Sequence, residues 1–464
     1  MDYVQVEKTA SLNLENPEIN SPSRIVTNSK ASTRIPKNAI RTSLRASTTD
    51  AVLATVFCLG TSGILLSNFL VELDASPIIF GMLSSIPMLV NIIQPLGAFL
   101  SERTTSRFQY SLSTFGISRL LWLILFIGII LFNWGQVNSQ QLEILTLLIV
   151  LGTNLLGGLG GASWLSWIAA IVPRRLRGRY FGIRNSAASL TNLICMPLSG
   201  LAVSYWYGGT LQGYGVVLFV SIVFGVLGIG CQYFKVDINP QVQNNVVNLP
   251  QKDELVCPPS ITPPEQNVLS SIWKNSNFLM FMFYFSFWML AVNLSAPFFN
   301  LYMLDALKLD VSWVTFYGSL QAGATLVMLI YWGKLADKIG NLPILIFIGI
   351  LVAITPLLWL GINNNQLSLW LWLPLLHIFT GATCAAIDLC SNNIQLGIAP
   401  VKNQSIYFAI ASAASGFTGA LGITIGSFIA QLVEHQGLVI VFAISGLLRL
   451  AALIPLFFVQ EPQR

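Results

Sequence analysis

Twelve predominantly apolar runs, most of them close to the ~20 residues that a helix needs to cross a bilayer, leave this chain few folds to choose from. Their limits are 51–72, 77–100, 111–133, 144–171, 180–204 and 215–234, then 277–302, 312–332, 343–362, 368–396, 405–432 and 437–459. Backbone groups inside a bilayer have no water to bond, so a spanning segment of this length satisfies itself as a helix. Composition agrees: 54% of the 464 residues are hydrophobic, 9% are charged and the mean hydropathy is +0.69. A soluble domain carries about 25% charged residues. The expected class is an all-α polytopic membrane protein of twelve transmembrane helices. The basic residues lie beside apolar runs rather than on a globular face, which excludes a nucleic-acid-binding surface.

The runs fall into two sets of six. Residues 235–276 between them are polar and carry Pro240, Pro250, Pro258, Pro259, Pro263 and Pro264, the composition of a linker. In each set a proline after the fourth run is followed seven residues later by Tyr-Phe. These are Pro173 with Tyr180-Phe181 and Pro400 with Tyr407-Phe408, 227 residues apart. The same offset, without a gap, pairs Thr153 with Thr380, Ile171 with Ile398, Ile183 with Ile410 and Ala187 with Ala414. The chain therefore reads as two copies of a six-helix unit. Residues 1–48 form a disordered tail, 49–234 the first bundle, 235–276 the linker and 277–460 the second bundle. The tail has no apolar core for a secretory signal.

Charge placement sets the direction. One set of connections holds Arg103, Arg107, Arg174, Arg175, Arg177, Arg179, Lys235, Lys252, Lys274, Lys334, Lys338 and Lys402, and the other holds only Lys308. Basic loops stay in the cytoplasm, so both termini are expected there and the protein in a cell (inner) membrane. The six cysteines form no CxxC pair or Cys/His cluster, so neither a metal nor another cofactor is expected.

After the eighth run comes Gly333-Lys334-Leu335-Ala336-Asp337-Lys338-Ile339-Gly340. It resembles the G-x-L-A-D-[RK]-x-G signature of the major facilitator superfamily. The corresponding first-half loop keeps Gly97 and Arg103 but has Ser101 where the aspartate belongs. Pro173-Arg174-Arg175-Leu176-Arg177-Gly178-Arg179 resembles the arginine-rich loop between the fourth and fifth spans of that superfamily. Met196-Pro197-Leu198-Ser199-Gly200 is a partial match to an antiporter motif. The resemblance implies two six-helix halves that rock about a central site, with Gly333, Asp337, Lys338, Gly340, Gly97, Arg103, Arg174, Arg175, Arg177 and Arg179 in gating loops.

An ionisable group in hydrocarbon costs roughly 2.5–3.5 kcal/mol on insertion scales and needs a reason. Asp388 is read as the only carboxylate well inside a span. It lies in the tenth helix, which lines the cavity in that superfamily, and is a proton-coupling candidate. The alternative is a salt bridge with Arg449. His377 lies eleven residues earlier on nearly the same face, so a His/Asp relay is the second coupling candidate. Arg119 and Arg184 are read as packing or orienting groups. Substrate candidates are Asn68, Asn293, Asn300, Asn392 and Asn393, with Trp164, Trp167 (beside Ser163 and Ser166) and Trp288. Amides and aromatic faces suit a polyol, sugar or amphipathic metabolite.

These observations point to a secondary transporter, acting as a monomer on a small solute, with protons as possible co-substrate. The lone Asp388 favours a neutral or cationic compound. No G-x-x-x-x-G-K-[ST] loop is present to use ATP. The alternative is a non-transporting scaffold of the same fold that assembles membrane proteins or delivers pigment or lipid. A membrane enzyme is disfavoured because the spans hold no paired carboxylates or nucleophile/base set.

Overall fold

The computed structural model describes residues 37–461, except 94–95, 98–99, 101–102, 105, 173–176, 238–273, 363–364, 399–403 and 434–436. The described residues are helical. Among the described residues, eleven helices are long and apolar enough to cross a membrane, and Pro77–Ile93, the second run, is a shorter apolar one. The elements expected from sequence are therefore present, with altered ends. Lys37–Thr61 begins the first helix, so residues 37–48 are helical. Val311–Ile339, the eighth, takes in most of the signature expected to be a loop. The chain leaves that helix only at Gly340, whose φ of +89 a side chain would strain.

Two equivalent helices are broken near mid-span. The first stops at Thr61 and restarts at Gly63, with φ +68 there, to run on as Gly63–Glu72. In the seventh, Ser276–Asn293 is followed by Ala296–Leu301. Pro297 sits at the restart and has no N–H to give the preceding turn. The carbonyls freed at that break are taken by the twelfth helix. Ser445 Oγ donates to Ala291 O at 2.7 Å, and Arg449 donates to Val292 O at 3.3 Å and to Ser295 Oγ at 2.9 Å. Arg449 also reaches Val352 O of the ninth helix at 3.0 Å. Buried arginine here splints a broken helix, and its contacts do not include Asp388.

The ends of the helices define two faces. One, the basic face, carries Arg103, Lys235, Lys334 and Lys338, and the other carries Asp74, Asp305, Lys308 and Asp310. At the basic face, Glu461 caps the ninth helix by accepting from Asn341 N at 2.9 Å and Leu342 N at 3.0 Å. A carboxylate at a helix N-terminus satisfies orphan donors and opposes the dipole. The two repeated tyrosines do matching work there. Tyr180 donates to Leu44 O of the first helix at 3.4 Å, and the Tyr407 ring meets Phe278 of the seventh at 4.5 Å between centroids. Each ties a fifth-position helix to the first helix of its own half.

The apolar core is distributed unevenly between the faces. Toward the opposite face one continuous core joins the halves, with Leu66, Phe69 and Phe80 sharing it with Phe298, Leu301, Val314 and Tyr317. Toward the basic face the halves keep separate cores, one around Ile168, Val172 and Tyr180, the other around Phe278, Tyr284, Ile348 and Cys390.

Candidate functional site

The split core encloses a cavity between the halves. One part, about 390 Å³, is walled by the first and fifth helices with Thr55, Cys58, Ser62, Arg184, Asn192 and Met196. The adjoining part, about 630 Å³, adds Asn300 of the seventh helix, Gln321 and Thr325 of the eighth and His377 of the tenth. The two share Thr55, Ile64, Ala188, Asn192 and Met196, so they form one chamber with a mixed lining of apolar side chains and a few polar ones.

Its ceiling is made where the fifth and eighth helices cross. A methyl group added to Gly200 would fall on Thr315, and one on Gly318 would lie 2.6 Å from Met196 and 2.8 Å from Ile64. Small residues at such crossings let helices approach closely in a bilayer, where packing rather than water exclusion drives association. Above the crossing, Asp310 caps the eighth helix through Ser312 N at 2.8 Å and accepts a short hydrogen bond from Ser204 at the end of the fifth. Toward the basic face the same two helices separate, and Arg184 and Ala188 face the cavity from one side while Thr325 and Leu329 face it from the other. The second and eleventh helices repeat the seam, Gly81 lying against Ser427 and Gly416 against Met88. The chamber is closed at the opposite face and widens toward the basic one.

The residues singled out from sequence scatter. Asn300 and His377 line the chamber. His377 is held between Tyr317 and Trp359, with ring centroids at 5.3 and 5.7 Å, and its Nδ1 lies 2.8 Å from Leu373 O. Trp164 backs the wall, its face 4.5 Å from the Arg184 guanidinium. Asn68 is buried nearer the opposite face, its Nδ2 without a partner. Asn293 donates to Met289 O of its own helix at 2.8 Å, and Asn393 to Asn341 at 2.9 Å. Trp167 and Trp288 are core residues, and Asn392 is exposed. Asp388 is also exposed; eleven residues from His377 correspond to about 16 Å of helix, so the two do not touch. Gly97 is the tight member of the gating set, since a Cβ there would meet the Leu159 backbone at 2.6 Å, whereas Gly333 has open space. Asp337 and Lys338 are exposed in the last turn of the eighth helix, and Arg103 is exposed. Arg174 and Arg175 lie outside the described residues, as do the side chains of Arg177, Arg179, Ser163 and Ser166.

The reading of Asp388 as the only embedded carboxylate is corrected by Asp50. The first helix begins well before residue 51, so Asp50 lies inside it, 4% exposed. It accepts from Lys235 at 2.9 Å and lies 3.8 Å from Arg119. Arg119 in turn donates to Gly225 O of the sixth helix. Lys235 also approaches the rings of Trp164 and Trp167 at 5.8 and 5.5 Å, while Trp167 Nε1 donates to Val236 O at 2.9 Å. Burial pulls the Lys235 ammonium below its ordinary value, against the pull of Asp50. This cluster fastens the start of the linker to the first bundle.

Also missed were the wall residues themselves. A signal existed: Ala51, Ala54, Thr55, Cys58, Leu59 and Ser62 recur at helical i, i+3, i+4 spacing, as do Gly318, Gln321, Ala322 and Thr325. Small and polar residues along one stripe of an otherwise apolar helix mark a face that avoids lipid.

Solved structures of the same fold are numerous and distant. A D-xylose-proton symporter superposes with a TM-score of 0.64 at 15% identity, covering 91% of this chain and 98% of that one. For the nucleoside transporter NupG the values are 0.62, 14%, 89% and 98%. A bacterial homologue of the iron transporter ferroportin, in an inward-facing state, gives 0.63, 13%, 91% and 98%. No curated protein matches the chain. A family model described as Major Facilitator Superfamily matches residues 51–376 and 277–464, which takes in both bundles. Two six-helix halves closed over a central chamber, together with this match, make the chain a member of the Major Facilitator Superfamily.

Proposed function

We propose that the protein is a secondary active transporter that carries a small polar solute by alternating access. The observation that carries this reading is the uneven core, which joins the halves at one face and parts them at the other around a chamber with several polar groups on its wall. An element with two stable packings, one sealing each face, would expose the chamber to each side in turn. The basic face is cytoplasmic by charge placement, so the conformation described here is open to the cytoplasm and both termini lie there, in a cell (inner) membrane. The protein works as a monomer. The solved neighbours named as nucleoside, sugar-proton and iron transporters support transport over catalysis and leave the cargo open.

Energy comes from a proton gradient, with Asp388 as the coupling carboxylate and His377 at the chamber wall. What supports the role is that Asp388 is an exposed carboxylate on the helix that also carries His377; it lies outside the chamber wall, so coupling through it acts along that helix and not at the solute. The test is uptake into proteoliposomes across a compound panel under an imposed pH gradient. Asp388→Asn is expected to abolish gradient-driven accumulation while leaving downhill exchange. Accumulation with unchanged pH dependence in that variant would sink the coupling role, and no flux of any compound in either direction would sink transport.

A further inference from the structure

Arg184 is a charged residue in a wall otherwise made of neutral side chains, and it is poorly occupied. Its Nη1 lies 3.4 Å from Asn185 Oδ1, and its Nε is buried without a hydrogen-bond partner among the described residues. The guanidinium stays charged and presents five donors, so a single long bond leaves most of that capacity unused. The nearby carboxylate, Asp50, is already shared by Lys235 and Arg119. The indole of Trp164 at 4.5 Å holds the guanidinium plane in place without neutralising it. Two turns further along the same helix is Asn192, eight residues or about 12 Å away. Asn192, Asn300 and Gln321 face the chamber with side-chain amides that make no hydrogen bond to another described residue.

From this geometry we propose that the transported solute is a small hydroxylated organic anion, its carboxylate or phosphate held by Arg184 and its hydroxyl groups by the amides of Asn192, Asn300 and Gln321. The proposal rests on the transport reading and names its substrate class. A half-buried cation with spare donors on the chamber wall is satisfied by an oxyanion through charge-assisted bonds, while a cationic solute would meet repulsion at the same wall. The preference for a neutral or cationic cargo drawn from Asp388 gives way here, because Asp388 is not among the residues that wall the chamber.

The chain carries its own reporter. Cys58 is exposed on the chamber wall that holds Arg184. Its alkylation by a water-soluble maleimide, followed on the Cys58 peptide by mass spectrometry, measures occupancy in the detergent-purified full chain. The probes are gluconate, glucose 6-phosphate and neutral glucose. At least one anion is expected to protect Cys58, and glucose to protect far less. Arg184→Gln should raise the half-protecting concentration about tenfold or more, the loss of a charged hydrogen-bonded contact, and Arg184→Lys should restore part of it. Protection by gluconate alone assigns a carboxylate, by glucose 6-phosphate alone a phosphate, and by both a general oxyanion site. A melting curve for each variant separates lost binding from lost folding. If neither anion protects, or both protect Arg184→Gln as well as the parent, the proposal fails. Counterflow of the protecting anion in proteoliposomes distinguishes the two readings. Arg184-dependent protection without flux overturns transport and keeps the site, while neutral-solute flux indifferent to Arg184 does the reverse.

Discussion

Each half buries an arginine that bridges its own third-position and sixth-position helices, and the two halves neutralise it differently. In the first, Arg119 on the third helix donates to Gly225 O of the sixth, and Asp50 stands beside it, shared with Lys235. In the second, Arg449 on the twelfth helix donates to Val352 O of the ninth, and carbonyl and hydroxyl groups at the break in the seventh take its other bonds. One half thus holds an ionic cluster with the linker as a member. The other uses the charge to mend a helix that Pro297 interrupts. The lesson is that duplication preserved the mechanical need, a strut across the same pair of helices, while the chemistry of the strut diverged. An ionic strut is fragile because removing one member strands the others. A strut bonded to carbonyls removes its own charge when it is lost.

That contrast is open to direct attack. The largest expected effect is Asp50→Asn, which leaves Arg119 and Lys235 buried with no countercharge and should cost about 3–5 kcal/mol. It is read as a fall in the unfolding midpoint of the detergent-purified protein. Arg449→Leu leaves unpartnered carbonyls but no stranded charge, at about 1–3 kcal/mol for an unsatisfied group. A greater loss for Arg449→Leu than for Asp50→Asn would break the comparison.

Glycine sharpens it next. Gly97→Ala should destabilise by about 1–3 kcal/mol, because its methyl meets the Leu159 backbone, which cannot swing aside. Gly333→Ala has open space and should raise the melting point, since alanine gains about 0.5–1 kcal/mol over glycine inside a helix. Equal effects at the two sites would show that the halves are gated alike.

The smallest expected effect lies at the latch on the opposite face. Burial raises the Asp310 carboxyl, but hydrogen bonds from Ser204 and from the Ser312 hydroxyl and N–H outweigh it and hold it below the ordinary 3.8. A depressed carboxylate contributes fully above its unfolded value, and the contribution disappears as pH falls through the folded value. The latch should therefore weaken only in acid below about pH 4, as expected for an aspartate. Asp310→Ala should remove the cap at any pH, at about 1 kcal/mol. Maleimide access to a cysteine at Thr315, applied from the opposite face, should rise in Asp310→Ala. Unchanged access would separate the latch from closure.

Much of the architecture was legible because a bilayer is a severe solvent. Apolar runs of the required length had to be helices, and the Tyr-Phe repeat located two equivalent units whose tyrosines each meet the first helix of their own half, one by a hydrogen bond and the other by ring packing. The site was far less legible. Asn293, Asn393 and Trp167 are polar or aromatic groups in spans, as the chamber residues are, but they are consumed by Met289, Asn341 and Val236. Nothing local in the chain distinguishes a polar side chain that mends backbone from one that faces a solute. Asp50 was overlooked because an apolar run cannot show where its helix begins when the preceding turns are polar.

The sequence by itself determined the membrane, the twelve helices, the twofold repeat and the side on which positive charge collects. Each follows from the cost of placing a polar backbone or a cation in hydrocarbon, which is a property of a segment alone. Which face is closed, which arginines lack a countercharge and which amides are free among the described residues were decided only by the tertiary structure. Those depend on what stands opposite each side chain, and the partners lie in other helices, from Asp50 with Lys235 to Ser204 with Asp310.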